Sequence, residues 1–470
     1  MKINRINPEE IPLSKILSNV ERYMDKSHIN SVKPEAFAYD LFLAGEKCNT
    51  PEKSNLLNNC LTVLADKMLN AKQDNLAGII YSFLIKFNND NPIILKQLIP
   101  KSLKIAKMQK DSVHVAARTG ELCNLYKAYQ IHGSNYMACL ALRKKALSKI
   151  CSDYDAAGKN YRTISRQMNK KDTYIELLVR TKCDIAEELG ITNKHDARKE
   201  LLSAYNDMQK MSEKYRTENE KTYFGLKKYI NIELTNITLC KNTNFNNPME
   251  KFSNIRRNII EATKENAPIE NSLFDDCFAS LYDEFKQNSY EDKFVYKSLQ
   301  LTDELVNLGN FYLADRICNI LTSKTQDNIK NLKSVILKQQ ELREKNNDDF
   351  GVLYFHNYLK NLCRKNIKAV TFSSLLKSLQ SNIKALTNII DNYDSLPERK
   401  HLRPKNEYLK YLIFSKIDSA KLLRKTKPEY SKATIKEAAN LLKKLPLEFI
   451  TEHPEIKRTI EFIRTNINSY

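Results

Sequence analysis

The sequence contains no tryptophan and only nine glycines among 470 residues, whereas average usage of about 7% would give roughly 33 glycines. Glycine is the default residue for tight β-hairpins and for loops that wrap around phosphate groups. Its scarcity argues against β-sandwich folds and against Rossmann and P-loop enzymes. With 42% hydrophobic residues the chain can still bury a sizeable core, so we expect a folded protein.

The motifs that usually mark an active site are also missing. The sequence has no glycine-rich nucleotide loop, no HExxH and no GxSxG. Its seven histidines never stand three or four residues apart, as a helical metal pair requires, and its ten cysteines never form CxxC. We therefore expect no enzymatic activity, no metal and no cofactor. We expect the cysteines to pack as small apolar side chains in a reducing compartment.

Long stretches without proline favour helices. No proline occurs between Pro100 and Pro248 or between Pro268 and Pro397. Polar breaks separate segments of about 15–22 residues, a length typical of antiparallel helix pairs. The predicted breaks are 88–92, 131–134, 189–192, 242–248, 265–268, 308–310 and 394–404. The longest apolar run, 76–85, is too short to span a bilayer, and we interpret it as a buried helix face.

An internal repeat is the strongest sign of organisation. In its clearest copy, a turn at 308–310 is followed by Ala314, Cys318 and Leu321, whose spacing puts them on one helix face. Similar copies contain Ala77 with Tyr81, Ala138 with Leu142, Ala157 with Tyr161, and Ala197 with Leu201.

This pattern resembles the tetratricopeptide repeat (TPR), a 34-residue helix–turn–helix with Leu-Gly in the first helix and Ala-x-x-x-Phe in the second. The chain lacks that family's Trp and closing Pro, and Ala77, Ala117, Ala157 and Ala197 recur every 40 residues. The resemblance implies an elongated all-α solenoid of antiparallel helical hairpins, without significant β-sheet, that exposes a binding groove. Another helical array or a bundle is the alternative fold.

The net charge of +20 is concentrated in two blocks. Residues 101–172 carry fifteen Lys and Arg against five Asp and Glu, and residues 397–470 carry seventeen against nine. In the first block, Lys159, Arg162 and Arg166 recur at helical spacing and would form a cationic stripe that grips carboxylates. The candidate partner-binding residues are Tyr126, Arg143, Lys144, Lys145, Lys159, Tyr161, Arg162 and Arg166.

These observations favour a non-enzymatic scaffold or adaptor that binds a protein or peptide partner, and an acidic partner would match the stripe. Basic side chains interleaved with tyrosine could instead bind a nucleic-acid backbone and stack bases. A nucleic-acid-binding array that uses residues 101–172 and 397–470 is therefore the alternative function. A solvated helix face would explain the same charges without any partner. A helical toxin or effector with an active site built from distant residues is a further alternative, and a membrane surface is not expected as a partner.

The organisation along the chain follows from the longest breaks. We expect an N-terminal tail at 1–12, helical-repeat regions at 13–241 and 249–393, and a basic C-terminal helical region at 405–470. The start of the sequence lacks the apolar segment of a signal peptide, so we predict a cytoplasmic location.

Overall fold

The computed structural model describes residue 18 and residues 34–48, 50–157, 164–190, 192–240, 244–245, 247–365, 371–395 and 403–468. Most of these residues are helical, and none of them lies in a β-strand. The predicted all-α fold class without a β-sheet is confirmed. The chain divides into two compact units, residues 1–234 and 235–470. The finer division proposed from the sequence, with its tail and basic C-terminal region, stays a prediction.

Twenty-one α-helices are described in the two units. The first ten are α1 (Pro34–Glu46), α2 (Pro51–Asn70), α3 (Asp74–Phe87), α4 (Pro92–Met108), α5 (Ser112–Ala128), α6 (Ser134–Ala157), α7 (Ile164–Gly190), α8 (Lys194–Met208), α9 (Glu213–Glu218) and α10 (Glu220–Thr238). The others are α11 (Pro248–Lys264), α12 (Asn271–Gln287), α13 (Glu291–Asn307), α14 (Phe311–Lys324), α15 (Ile329–Lys345), α16 (Asp349–Lys365), α17 (Phe372–Asp391), α18 (Lys405–Leu423), α19 (Pro428–Leu442), α20 (Leu447–Glu452) and α21 (Pro454–Asn468). A 3₁₀ turn, Tyr393–Ser395, follows α17.

Within each unit, most helices pack against the helix that follows them in the sequence. Short turns join these neighbours, so they run antiparallel, and one hairpin takes about 40 residues. Ion pairs also connect a helix to the second helix after it in the sequence. Lys101 of α4 bonds Asp66 of α2 at 2.7 Å, and Lys330 of α15 bonds Asp292 of α13 at 2.9 Å. The predicted array of antiparallel helical hairpins is therefore confirmed.

The turns explain how a glycine-poor chain reverses direction. Seven of the described turns share one arrangement around a residue in the left-handed region of φ: Gly309 at 78°, and Lys72, Lys110, Gln130, Asn266, Ser289 and Asn347 between 51° and 60°. Each closes a Schellman motif. At Lys110, its own N–H donates to the Lys107 carbonyl at 3.1 Å, and the Asp111 N–H donates to the Ala106 carbonyl at 3.0 Å. Asp111 then caps α5 by accepting hydrogen bonds from two of its backbone N–H groups, each at 3.0 Å.

The sequence repeat marks the core correctly in its clearest copy. Ala314, Cys318 and Leu321 are fully buried on α14, as are Ala77 and Tyr81 on α3. All seven predicted breaks fall where one helix ends and the next begins.

Two positions of the repeat are wrong. Ala138 is exposed on α6, where Tyr136 and Cys139 face the core instead, and Ala117 is exposed on α5 beside the buried Ala116. One residue along a helix rotates the side chain by about 100°, so a slip of a single position moves a predicted core residue to the surface. Tyr161 lies outside the described residues, so the copy that contains it stays a prediction.

Candidate partner-binding groove

Four of the eight predicted partner-binding residues have side chains outside the described part of the structure. Lys159, Tyr161 and Arg162 lie outside the described residues. Arg166 belongs to the first turn of α7, where side chains are not described. The cationic stripe therefore stays a prediction.

The other four residues lie on α5 and α6 and do different things. Lys144 forms an ion pair with Glu200 of α8, and Lys145 is exposed. The Arg143 guanidinium lies directly on the backbone of α5, since a Cβ added at Gly120 would stand 3.2 Å from its Cζ atom. Tyr126 packs against the small apolar cluster where α5 meets α6, which also contains Cys139 one turn before Arg143.

Part of the positive charge of the basic block 101–172 is engaged in ion pairs within the protein. Within the described part of the block, five of its fifteen cations form ion pairs: Lys101 with Asp66, Arg118 with Glu121, Lys127 with Asp184, Lys144 with Glu200, and Lys171 with Asp155. Three of the acidic partners come from outside the block, which is why a count along the sequence overstates its free charge. These pairs give the nucleic-acid alternative no support, and it stays a prediction.

An open groove of about 660 Å³ lies between α1, α3, α4 and the start of α5; we call it the α1–α5 groove. Its lining is mainly carbon, and its apolar residues are Ala38, Leu41, Phe42, Gly78, Ile79, Phe83, Ile105 and Ala106.

Helix α3 contributes to both the core and the α1–α5 groove, because apolar residues occur on more than one of its sides. Ile80 and Leu84 are fully buried in the core, whereas Gly78, Ile79 and Phe83 line the groove. A helix that is apolar all round has more surface to bury than one core contact can cover. The sequence pattern predicted a buried face for this run but not the groove. Charge patterns carry no signal for an apolar groove; the available signal was an apolar run with more than one apolar side.

Small residues shape the floor of the α1–α5 groove, and aromatic side chains form its walls. A Cβ added at Gly78 would meet only Ile105, at 3.6 Å, so the space above Gly78 is open. A Cβ added at Gly45 would stand 3.0 Å from the Phe83 ring, so this glycine allows Phe83 to lie close to α1. Phe42 remains 55% exposed on the α1 side. The groove therefore fits apolar side chains of a partner.

Several polar groups in and beside the α1–α5 groove already have hydrogen-bond partners within the protein. The buried Arg118 donates to Ser82 Oγ at 2.8 Å and to both carboxylate oxygens of Glu121, at 2.8 and 2.7 Å. The Gln109 amide donates to Asn75 Oδ1 at 2.8 Å. Because these groups have partners, they do not demand hydrogen bonds from an incoming ligand.

Charged residues mark two places on the rim. At the start of α5, the His114 ring bonds the Asp111 carboxylate at 2.6 Å. Burial raises the pKa of Asp111, but hydrogen bonds from the backbone and ring of His114 outweigh it, so the pKa lies below its ordinary value of 3.8. Lys86, on α3, is exposed and has no ion-pair partner within the described residues. Lys86 is therefore available to a partner's carboxylate.

A second groove, of about 350 Å³, lies between α13, α15 and α17 in the second unit. Most of its lining residues are polar, although carbon makes up most of the accessible lining, and Lys338 pairs with Asp303 at 2.5 Å and with Glu341 at 3.2 Å. These charges therefore already have partners within the second groove.

The described residues contain no group of three or more His, Cys, Asp or Glu side chains that could hold a metal ion. Among the described helices, none combines the length and the apolar character that crossing a bilayer requires.

These features define the class of protein as an all-α array of helical hairpins with an open, mainly apolar groove. Comparison with known protein families finds no match, and comparison with curated proteins finds none either.

Solved structures similar to the chain include two that align with 97% of its length. One is a circular tandem repeat protein with novel repeat topology and enhanced subunit contact surfaces, at 11% identity, 97% coverage of this chain, 96% of that chain and a TM-score of 0.21. The other is Naa15/Naa10 bound to HypK-THB, at 10% identity, 97% coverage of this chain, 80% of that chain and a TM-score of 0.15. At these TM-scores neither similarity carries an argument, so the resemblance to the tetratricopeptide repeat rests on the sequence pattern.

Proposed function

We propose that the protein is a non-enzymatic, TPR-like helical-repeat scaffold that binds a protein or peptide partner in the α1–α5 groove. The observation that carries the proposal is the groove itself, with its floor open above Gly78 and its partly exposed wall at Phe42. Arrays of helical hairpins present such grooves because each hairpin packs only against its neighbours. The predicted cytoplasmic location is kept as part of this proposal.

The lining indicates the chemistry of the partner. A segment that places a few apolar side chains over Gly78 would cover Phe42 and Phe83, and the burial of apolar surface would stabilise the complex. An acidic residue at one end of that segment would pair with Lys86. Binding is favoured over catalysis because the lining of this groove is mainly carbon and several of its polar groups already have partners within the protein.

The test starts from a random peptide library selected on the immobilised full-length protein. Dissociation constants of the selected peptides are then measured by fluorescence anisotropy. We expect Gly78→Leu to fill the floor and weaken binding at least tenfold, which corresponds to about 1.4 kcal/mol. Gly78→Ala is the matched control, because its Cβ makes only one ordinary contact and leaves the groove open.

Two outcomes would contradict the proposal. Selected peptides that bind Gly78→Leu as tightly as the wild type would place the binding site elsewhere. Tight binding of single-stranded DNA or RNA that falls steeply with salt, with no peptide selected, would favour the nucleic-acid alternative. Lys86→Glu tests the charge contribution separately, because it should weaken the binding only of those peptides that carry an acidic residue.

A further inference from the structure

Two buried cysteines touch where α5 packs against α6. The Sγ atoms of Cys123 and Cys139 are 3.4 Å apart, and both thiols are reduced. Only 1% of Cys123 and 6% of Cys139 is exposed. Cys139 Sγ also lies 3.4 Å from the Thr119 carbonyl oxygen. The two side chains are therefore held against each other by the packing of an antiparallel hairpin, with no third group between the sulfur atoms.

The surroundings favour a negative charge on one of the two sulfurs. The hydrogen bond from Cys123, and after it the positive charges of Arg143 and Lys107, lower the pKa of Cys139 although burial opposes them. The same hydrogen bond raises the pKa of Cys123, as does burial. Arg143 stands one helical turn after Cys139, and its Nε atom is buried without a hydrogen-bond partner among the described residues.

We propose that Cys123 and Cys139 form a redox modification site that closes reversibly to a disulfide when a hydroperoxide oxidises it. Cys139 is the nucleophile and Cys123 the resolving thiol. Arg143 is a positioning residue, since its charge stabilises the thiolate of Cys139.

The chemistry proceeds in two balanced steps. The Cys139 thiolate attacks one oxygen of hydrogen peroxide, the O–O bond breaks, and Cys139 sulfenic acid and hydroxide are formed. The Cys123 thiol then attacks the sulfenic sulfur, so that an S–S bond forms as the S–O bond breaks and water leaves. Overall, two thiols and one peroxide give one disulfide and two waters. Reduction by a small thiol reverses the change by exchange.

An oxidant can approach the pair from one side through a thin layer of protein. Leu122 and Tyr126 pack against the cluster that contains both cysteines. The same two side chains line an open apolar pocket of about 260 Å³. A small uncharged peroxide therefore has to pass only these side chains.

The test treats the full-length protein with increasing hydrogen peroxide, then unfolds it, alkylates the remaining thiols and maps tryptic peptides by mass spectrometry. Trypsin cleaves after Lys127, between the two cysteines, so a disulfide would hold two peptides together. We expect the Cys123–Cys139 pair to be the most abundant cross-link and to disappear after treatment with dithiothreitol. Cys123→Ala and Cys139→Ala should abolish it. Cys183→Ala is the matched control, because Cys183 is a buried thiol on α7 whose loss should leave the cross-link intact.

A clear negative result would overturn the inference. The exposed Cys60 serves as the internal dose marker. If Cys60 is oxidised while Cys123 and Cys139 both remain alkylatable after unfolding, the pair is structural only. Arg143→Met should slow formation of the disulfide severalfold at neutral pH, with the rate recovering at alkaline pH. An unchanged rate and pH profile in a variant with wild-type circular dichroism would contradict the role given to Arg143.

Discussion

Replacing Lys110 by glycine should stabilise the protein, although most substitutions to glycine destabilise. Lys110 has a φ of 56° in the turn between α4 and α5. An L-residue in this region costs about 1–2 kcal/mol, whereas glycine has no such penalty. Glycine also gives the unfolded chain more conformational freedom, which lowers the free energy of unfolding by about 0.4–1 kcal/mol. The net expectation is a gain of about 0.5–1 kcal/mol in the free energy of unfolding.

The control for this prediction lies three residues away. Lys107 is exposed in the last turn of α4, where glycine should cost about 1 kcal/mol through its poor helix propensity. The two variants therefore make the same substitution at exposed lysines three residues apart, but they should change the free energy of unfolding in opposite directions. Urea unfolding followed by far-ultraviolet circular dichroism measures both. If Lys110→Gly is as destabilising as Lys107→Gly, the account of these turns is wrong.

Two further predictions concern buried titratable side chains. Burial, and after it the charge of Lys360, lower the pKa of His356 from 6.5 to about 4. The neutral form therefore contributes its full share to the free energy of unfolding above pH 6.5, and this free energy should fall by up to about 3 kcal/mol as the pH drops towards 4. Urea unfolding at several pH values checks this, and an equal loss in His356→Gln would refute it. Lys182 bonds Asp207 at 2.5 Å, and both side chains are nearly buried. Lys182→Met should lower the free energy of unfolding by about 2–3 kcal/mol, a loss that is limited because Lys210 also pairs with Asp207. Adding Asp207→Leu should recover most of this loss in thermal or urea unfolding. A double variant that is no more stable than Lys182→Met would contradict the prediction.

The sequence predicted helix ends best where the turn residues have a characteristic type. Gly309 and Asn310 predict the turn after α13, because glycine adopts a left-handed φ without strain and asparagine caps the next helix. The equivalent turn at Lys110 was not predicted, because lysine has no preference for that conformation. The packing of α4 against α5 imposes it, and Asp111 as a cap was the only sequence signal.

The candidate site was harder to predict than the fold, for a physical reason. A charge excess can be counted along the chain, but the partners that neutralise it come from other helices, as Asp184 does for Lys127. The groove depends on the missing side chain of Gly78 and on how close Phe83 lies to α1, and neither property is local in sequence. The contact between Cys123 and Cys139 likewise requires the register of α5 against α6, which the spacing of alanines misassigned by one residue at Ala138.

The packing of each helix on its sequence neighbours has a consequence for how the protein is made. In both units a helix completes most of its contacts within the next hairpin, so few contacts join distant parts of the chain. Contacts that are close in sequence form quickly, since little loop entropy is lost when they close. As the chain leaves the ribosome, each new hairpin can dock on the one before it. Its apolar face is then covered during synthesis, before the downstream helices exist.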